Sequence, residues 1–270
     1  MGTYFNIAGI SYTSEASAGA KYAVINNGGD SSNRPITFVS WFDAARFSNW
    51  MTNGQGGPGT TETGAYDLAT AASGVAPAKT PGAAFYIPTE NEWYKAAYYS
   101  PNYGGVGVPG YYAYATQSDT APGNVIGSTA NQANYLPGGV YSVTQSGDYY
   151  ENQNYLTDVG AFSASGSFYG TFDQSGNVYQ WNDLDGTPGS FRGVRGGNWD
   201  FLNPFFLSSS FSFWGDPSVE VDTVGFRLAS PVSGPSAVPE IDPNGLGSVL
   251  AFVAGALGLL ERRRLKVKLA

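Results

Sequence analysis

The sequence contains no cysteine and no histidine among its 270 residues. Without cysteine the chain has no disulfide, no thiol nucleophile and no thiolate ligand for a metal. Without histidine it lacks the usual general base of neutral-pH catalysis and a common ligand of transition metals. Copper, iron and zinc sites are therefore not expected, whereas calcium, which takes oxygen ligands, is compatible with the composition.

Basic side chains are scarce as well. The chain carries 13 lysine and arginine residues against 21 aspartate and glutamate residues, and residues 1–237 hold only eight basic against eighteen acidic side chains. A surface of this sign repels phosphate backbones, so we expect no nucleic acid as a partner. Glycine (37 residues) and aromatic residues (19 Tyr, 16 Phe, 6 Trp) are abundant, which is typical of loop-rich folds with ring-filled interiors.

The C-terminal segment combines a short polar motif, an apolar run and a basic cluster. The apolar run, at about residues 245–260, would form a helix of about 24 Å, slightly short of a ~30 Å hydrocarbon core. Basic residues beyond it are typical of the cytoplasmic end of a membrane helix. The sequence thus predicts a transmembrane helix and export of the preceding chain; the alternative is a buried C-terminal helix. The polar motif and basic cluster comprise Val238, Pro239, Glu240, Arg262, Arg263 and Arg264.

Three segments are predicted along the chain. Residues 1–229 form a globular domain, residues 230–237 a linker of small residues and proline, and residues 238–270 the tail. Export requires an N-terminal signal, and residues 1–6 have neither its charged nor its apolar region. We therefore hypothesise that this sequence starts late and that the domain is truncated at its N-terminus.

Two helices and several short strands are predicted in the globular segment. The first helix begins after Ser40, with Asp43 completing a capping box, and includes Phe47 in its apolar face. The second begins after Thr89, with Glu92 in the same role as Asp43. The tryptophans are predicted to be mostly core. Strands are predicted at residues 37–39, 85–87, 178–181, 194–196 and 225–228.

Four motifs occur in order in the globular segment, at residues 39–50, 87–97, 173–181, and 195–199 followed by 225–227. Together they resemble the formylglycine-generating enzyme (sulfatase-modifying factor) domain, over about residues 36–229. The resemblance implies an α+β, C-type-lectin-like fold with little regular secondary structure, to which the tail adds one transmembrane helix. The tail is similar to the PEP-CTERM sorting signal, with Ile241 after its Pro-Glu pair, which implies processing by exosortase.

The family enzyme oxidises a sulfatase cysteine to formylglycine with a pair of cysteines and copper. Those cysteines follow a Gly-Gly-Ser-aromatic motif, and here their positions fall at about Phe201 and Phe206. A second branch of the fold forms sulfur–carbon bonds with iron held by histidines, which this chain lacks. The resemblance therefore implies the fold without either redox chemistry.

The resemblance also implies two calcium sites. In the first, Gln180 replaces a glutamate of the family, while a side chain at 173 has gained a charge; the alternative is a plain hydrogen-bonded turn. The second would take its acid from either of two residues in the following loop. The first set is Asp173, Gly176, Val178 and Gln180, and the second is Asn134, Tyr135, and Asp148 or Glu151.

Two further features have more than one interpretation. Tyr103, Tyr111 and Tyr112 on a glycine-rich stretch form a candidate ligand surface, since exposed tyrosines can stack on sugar rings; the alternative is structural packing. Arg192 and Arg195 are predicted to pair with buried carboxylates, with a small anion cradle as the alternative.

The leading hypothesis is an exported, non-catalytic binding or structural module at the cell surface or in the extracellular matrix. Its expected partners are exosortase, an extracellular polysaccharide or another surface protein, and the inner membrane before processing. The alternatives are an enzyme of unrecognised activity on the same scaffold, or an oxidase of the formylglycine-generating type in name only. Converging carboxylates near Phe201 and Phe206 would favour an enzyme, and a cleft plugged by their rings would favour the binder.

Overall fold

Two α-helices are the longest regular segments, and both begin as the sequence predicts. The structure is a computed structural model and describes residues 9–17, 20–26 and 28–231. Helix α1 spans Trp41–Thr52 and helix α2 spans Glu90–Tyr98. The side chains of Ser40 and Thr89 accept the N3 backbone N–H, and the acidic N3 residue accepts the cap's own N–H. Both predicted capping boxes are confirmed, and each satisfies donors that a helix start leaves unpaired.

The strands are short and belong to small sheets. In chain order they are β1 (Ile10–Tyr12), β2 (Tyr22–Val24), β3 (Tyr99–Ser100), β4 (Gly110–Tyr111), β5 (Tyr179–Asn182), β6 (Arg192–Arg195), β7 (Phe213–Gly215) and β8 (Val224–Gly225). Strands β1 and β2 pair with each other, as do β3 and β4, both antiparallel. The four-stranded sheet has the order β7-β6-β5-β8, with only β5 and β8 parallel. Gln180 in β5 lies between Arg195 and Gly225, so this sheet brings the third and fourth motifs side by side.

The three strands predicted in the C-terminal half appear as β5, β6 and β8 with shifted bounds. The prediction at residues 37–39 is wrong, because Phe38 has a φ of 56°, in the left-handed region that an extended strand does not use. Residues 85–87 contribute a single bridge, between Tyr86 and Ala229, rather than a strand.

Aromatic rings fill the main core. Trp41 at the start of α1 meets the ring of Tyr66 edge-on at 5.0 Å, and Trp181 of β5 belongs to the same cluster. Phe47, predicted in the apolar face of α1, is 41% exposed and packs its ring against Phe226 at 5.4 Å. Trp214 is also exposed, at 59%. The tryptophans confirmed as buried are Trp41, Trp93, Trp181 and Trp199.

A buried ion pair joins the end of β5 to the start of β6. Arg192 Nε lies 2.8 Å from Asp183 Oδ1, with both side chains 1% exposed, and the Tyr66 hydroxyl donates to Asp183 Oδ2 at 3.2 Å. Arg195 forms an ion pair with Glu90 at the start of α2. The predicted pairing with a buried carboxylate is confirmed for Arg192. Arg195 pairs with a carboxylate that is 24% exposed, and this pair fixes α2 against the sheet.

The predictions for the tail fall outside the described residues. They concern the sorting motif at residues 238–240, the apolar run at 245–260, the arginines at 262–264 and most of the linker at 230–237. Within the described part of the chain, no helix has both the length and the apolarity needed to cross a membrane.

Candidate functional site

Phenylalanine rings fill the positions that the resemblance assigns to the family's cysteines. Phe201 and Phe206 stack with their centroids 4.4 Å apart and their planes inclined by 26°. Phe211 meets Phe206 edge-on at 4.9 Å, and Phe205 contacts both of these rings. Stacked and edge-on geometries are the favourable arrangements of aromatic pairs. We call Phe201, Phe205, Phe206 and Phe211 the phenylalanine cluster; its rings carry no nucleophile and no titratable proton.

The local sequence fixes the position of this cluster. A 3-10 turn at Pro204–Leu207 carries two of its rings, and the Asn203 side chain caps the turn by accepting the Phe205 N–H at 2.9 Å. Leu207 is buried, and its carbonyl accepts the hydroxyl of Tyr98 at 3.2 Å. The turn is therefore anchored at both ends.

Two carboxylates belong to the surroundings of the cluster. Asp200 directly precedes Phe201, and burial raises its pKa, with a further rise from the negative charge of Asp222. Burial also raises the pKa of Asp222, whose Oδ2 is buried with no hydrogen-bond partner in the described part of the chain. Both groups therefore retain their protons to a higher pH than exposed aspartates do.

The first predicted calcium set lies on the turn that enters β5, and its glutamine is already engaged. Gln180 Oε1 accepts the indole N–H of Trp93 at 2.9 Å and the Nε–H of Arg227 at 2.6 Å. Gln180 Nε2 donates to the backbone carbonyl of Asp173 at 2.5 Å. The side-chain oxygen predicted as a calcium ligand is thus the acceptor for two N–H donors, one of them cationic. The set is Asp173, Gly176, Val178 and Gln180.

Arg227 supplies a positive charge at this turn. Its second contact is a hydrogen bond from Nη2 to the carbonyl of Phe172 at 2.8 Å. Burial lowers the Arg227 pKa to about 10, while the charge of Asp173 acts in the opposite direction, so the guanidinium stays charged at neutral pH. Burial raises the pKa of Asp173, whose Oδ2 accepts the N–H of Gly160 at 2.7 Å. Since a guanidinium already binds Gln180 Oε1, these residues do not fit a calcium ion that uses the same oxygen.

The second predicted calcium set divides between the interior and the surface. Asn134 and Tyr135 are buried, and Asn134 Nδ2 donates to the carbonyl of Tyr155 at 2.9 Å. Asp148 and Glu151 are both exposed. The described residues contain no group of three or more acidic side chains suited to a metal. Calcium at this set stays a prediction.

The tyrosines of the candidate ligand surface contact other aromatic residues. Tyr103 and Tyr112 meet edge-on at 4.9 Å, and the Tyr103 hydroxyl donates to Asp119 Oδ2 at 2.8 Å. Tyr111 in β4 lies opposite Tyr99 in β3, with ring centroids 5.2 Å apart. Tyr103 and Tyr111 keep 39% and 47% of their surface exposed, so both interpretations of these tyrosines remain open.

Two features of the site were missed from the sequence. For Arg227, the available signal was Gln180. The resemblance implies a glutamate at that position as a calcium ligand, and glutamine lacks the negative charge that would hold the calcium ion. For Asp200 and Asp222 there was no signal, because no periodic pattern connects residues so far apart in the chain.

Comparison with known proteins identifies the family. The family model described as the sulfatase-modifying factor enzyme 1-like domain matches residues 10–232, and the chain belongs to this family. Its fold is of the formylglycine-generating-enzyme type, with few helices and mixed sheets. No curated protein matches the chain.

Three solved structures are similar to this chain. The crystal structure of CarF shares 21% identity over 75% of this chain and 69% of that one, with a TM-score of 0.47. Treponema denticola variable protein 1 shares 20% identity over 74% of this chain and 72% of that one, with a TM-score of 0.46. PvdO from Pseudomonas aeruginosa shares 16% identity over 82% of this chain and 70% of that one, with a TM-score of 0.40.

Proposed function

We propose that this chain is a non-catalytic binding or structural module on the sulfatase-modifying factor fold. The observation that carries the proposal is the stack of Phe201 on Phe206 at the positions where the family's cysteines are expected. Cysteine oxidation by the family's route requires thiols there, and the chain contains none. A packed aromatic cluster instead rigidifies this face, which suits a scaffold that presents other surfaces for binding.

The proposal includes the location of the protein in the cell. The order of polar motif, apolar run and arginine cluster in residues 238–270 supports export, anchoring in the inner membrane and processing by exosortase. The product would reside at the cell surface or in the extracellular matrix, where a polysaccharide or another surface protein is the available partner. Cell fractionation with and without a functional exosortase tests this step. We expect the unprocessed chain to accumulate in the membrane when the protease is absent.

The non-catalytic part is tested by a direct assay for cysteine oxidation. The full-length chain is incubated with copper, oxygen and a cysteine peptide of the sulfatase type, and the peptide mass is followed over time. We expect the same mass as in a protein-free blank, because the chain itself supplies no thiol for the reaction. Conversion of the peptide to the aldehyde above the blank would contradict the proposal.

The alternative is an enzyme of unrecognised activity, and one observation favours it. Burial raises the pKa values of Asp222 and of Asp200, which directly precedes Phe201 of the phenylalanine cluster, and such groups occur at catalytic sites as well as in structural networks. The variant Asp222→Asn separates the two functions. A catalytic role predicts loss of turnover on any substrate found, whereas a structural role predicts a change in stability alone.

A further inference from the structure

A groove of about 1160 Å³ lies between α1 and the β1–β2 pair. It is larger than the roughly 300–1,000 Å³ of most small-molecule sites, so it has room for several linked units. One wall is the outward stripe of α1, whose residues recur at helical spacing, and the others are strand β2 with its preceding residue and the loop after α1. This α1 groove is lined by Lys21, Tyr22, Asp43, Arg46, Phe47, Trp50, Gly56 and Thr61.

Aromatic rings provide the apolar surface of the α1 groove. Tyr22 is 70% exposed and Phe47 is 41% exposed. Phe47 is supported from behind by Phe226, with centroids 5.4 Å apart, and from the side by Trp50 at 5.6 Å. The indole N–H of Trp50 donates to the carbonyl of Gly56 at 3.1 Å, which holds the loop against the helix. Phe47 and Trp50 are thus fixed in position, and Tyr22 and Phe47 keep accessible surface.

Two charged groups of the α1 groove, Arg46 and Asp43, are also held in place. Arg46 Nε lies 2.9 Å from Glu62 Oε1, and Nη2 reaches both the second carboxylate oxygen at 3.3 Å and a backbone carbonyl at 2.8 Å. Asp43 Oδ2 accepts the N–H and the hydroxyl of Ser40 at 3.0 and 2.6 Å. Lys21 has no ion-pair partner among the described residues. The groove therefore presents Arg46 and Asp43 at fixed positions, together with the ammonium group of Lys21.

This combination selects a class of ligand. A hydroxyl group both donates and accepts, so a polyhydroxyl ligand satisfies Lys21 and Asp43 together. An anionic ligand would meet the carboxylate of Asp43, and the Arg46 charge is already balanced by Glu62. Aromatic faces such as that of Phe47 bind the apolar C–H face of a ring. The ligand with hydroxyls at its edge and an apolar ring face is a pyranose sugar.

We propose that the α1 groove binds a segment of a neutral polysaccharide, with Tyr22 and Phe47 stacking on successive sugar rings. The proposal rests on the binding role proposed above and gives it a site and a ligand class. It places the site on α1 and β2, away from the tyrosines on β4 and the loops beside it.

The test is calorimetric titration of the full-length chain with neutral glucose-, mannose- and galactose-based oligosaccharides. Uronate oligosaccharides and an aromatic-rich peptide are titrated in parallel. Tyr22→Ala and Phe47→Ala each remove one stacking surface, and Tyr111→Ala is the matched control on the other aromatic surface. Tyr22 is 70% exposed, so its removal should leave the core of the domain intact. We expect each groove variant to weaken binding of a neutral oligosaccharide about tenfold, as loss of an aromatic anchor does, and Tyr111→Ala to bind unchanged.

Each other outcome contradicts either the proposal or the function on which it rests. Binding that is lost in Tyr111→Ala but kept in Tyr22→Ala and Phe47→Ala moves the ligand to the tyrosine surface and leaves the binding function intact. Binding of uronates or of the peptide alone, or of no ligand, refutes the neutral sugar. Chemical conversion of a bound oligosaccharide would instead contradict the non-catalytic function while leaving the groove as the site.

Discussion

The substitution Arg227→Met removes the cation that lies where calcium was expected. Two hydrogen bonds from a charged donor are lost, to the Gln180 side chain at 2.6 Å and to the Phe172 carbonyl at 2.8 Å. Such bonds contribute about 1.5–3 kcal/mol each, and for a half-buried side chain the lower end applies, which gives about 3 kcal/mol in total. In a domain of this size the melting temperature should fall by about 6–12 °C. Arg227→Lys keeps the charge but not the planar fork, so its loss should be intermediate.

Calorimetric melting of the full-length chain with added calcium and with chelator completes this test. Any calcium-dependent rise in the melting temperature of the wild type should persist in the control variant, because the guanidinium already binds the Gln180 oxygen. The variant Asp173→Asn is the control, since it removes the one charged ligand of the predicted site. A calcium-dependent rise in the wild type that Asp173→Asn abolishes would refute this interpretation of Arg227.

Further predictions concern the buried carboxylates and the phenylalanine cluster. Asp222→Asn should raise stability by about 1 kcal/mol at pH 7, because it replaces a partly buried carboxylate, one oxygen of which has no partner, with a neutral amide and removes the repulsion of Asp200. Since the pKa values of both carboxyls are raised in the folded state, the wild type loses stability as the pH rises through them. In urea titrations, the difference in the free energy of unfolding between Asp222→Asn and the wild type should therefore close as the pH falls from about 7 to about 4. Asp183→Asn leaves Arg192 as an uncompensated buried charge and should cost about 3–5 kcal/mol in the same titration, whereas an effect below about 1 kcal/mol would mean that the pair is solvated. Phe206→Ala should cost about 2–3 kcal/mol by urea unfolding, below the range for full burial, and an unchanged midpoint would show that the cluster does not pack.

The helix starts could be predicted because they depend on local chemistry. Ser40 with Asp43 and Thr89 with Glu92 form bonds within one helical turn, so the sequence contains all the partners. The prediction of a strand at residues 37–39 was wrong because the conformation there involves a residue that is distant in the chain. The N–H of Phe38 donates to the carbonyl of Val221, a distant residue, and the left-handed backbone there depends on that contact.

At the candidate site, too, local sequence could be interpreted but long-range contacts could not. Placing phenylalanines at the cysteine positions required only motif spacing, whereas their stacking depends on how the 3-10 turn folds back. Helical spacing with other apolar residues placed Phe47 in the apolar face of α1. Spacing does not reveal that β2 stands off the helix and leaves a groove, so an apolar residue on that stripe becomes a groove wall.

The most direct test of the central claim is a pull-down of the full-length chain on the host's extracellular polysaccharide, with size analysis of the polymer afterwards. It is run with calcium and with chelator. The account predicts retention in both conditions and a polymer of unchanged length, because the module binds without chemistry and without an ion at Gln180. A shortened polymer, or a chain that fails to be retained in either condition, would contradict it.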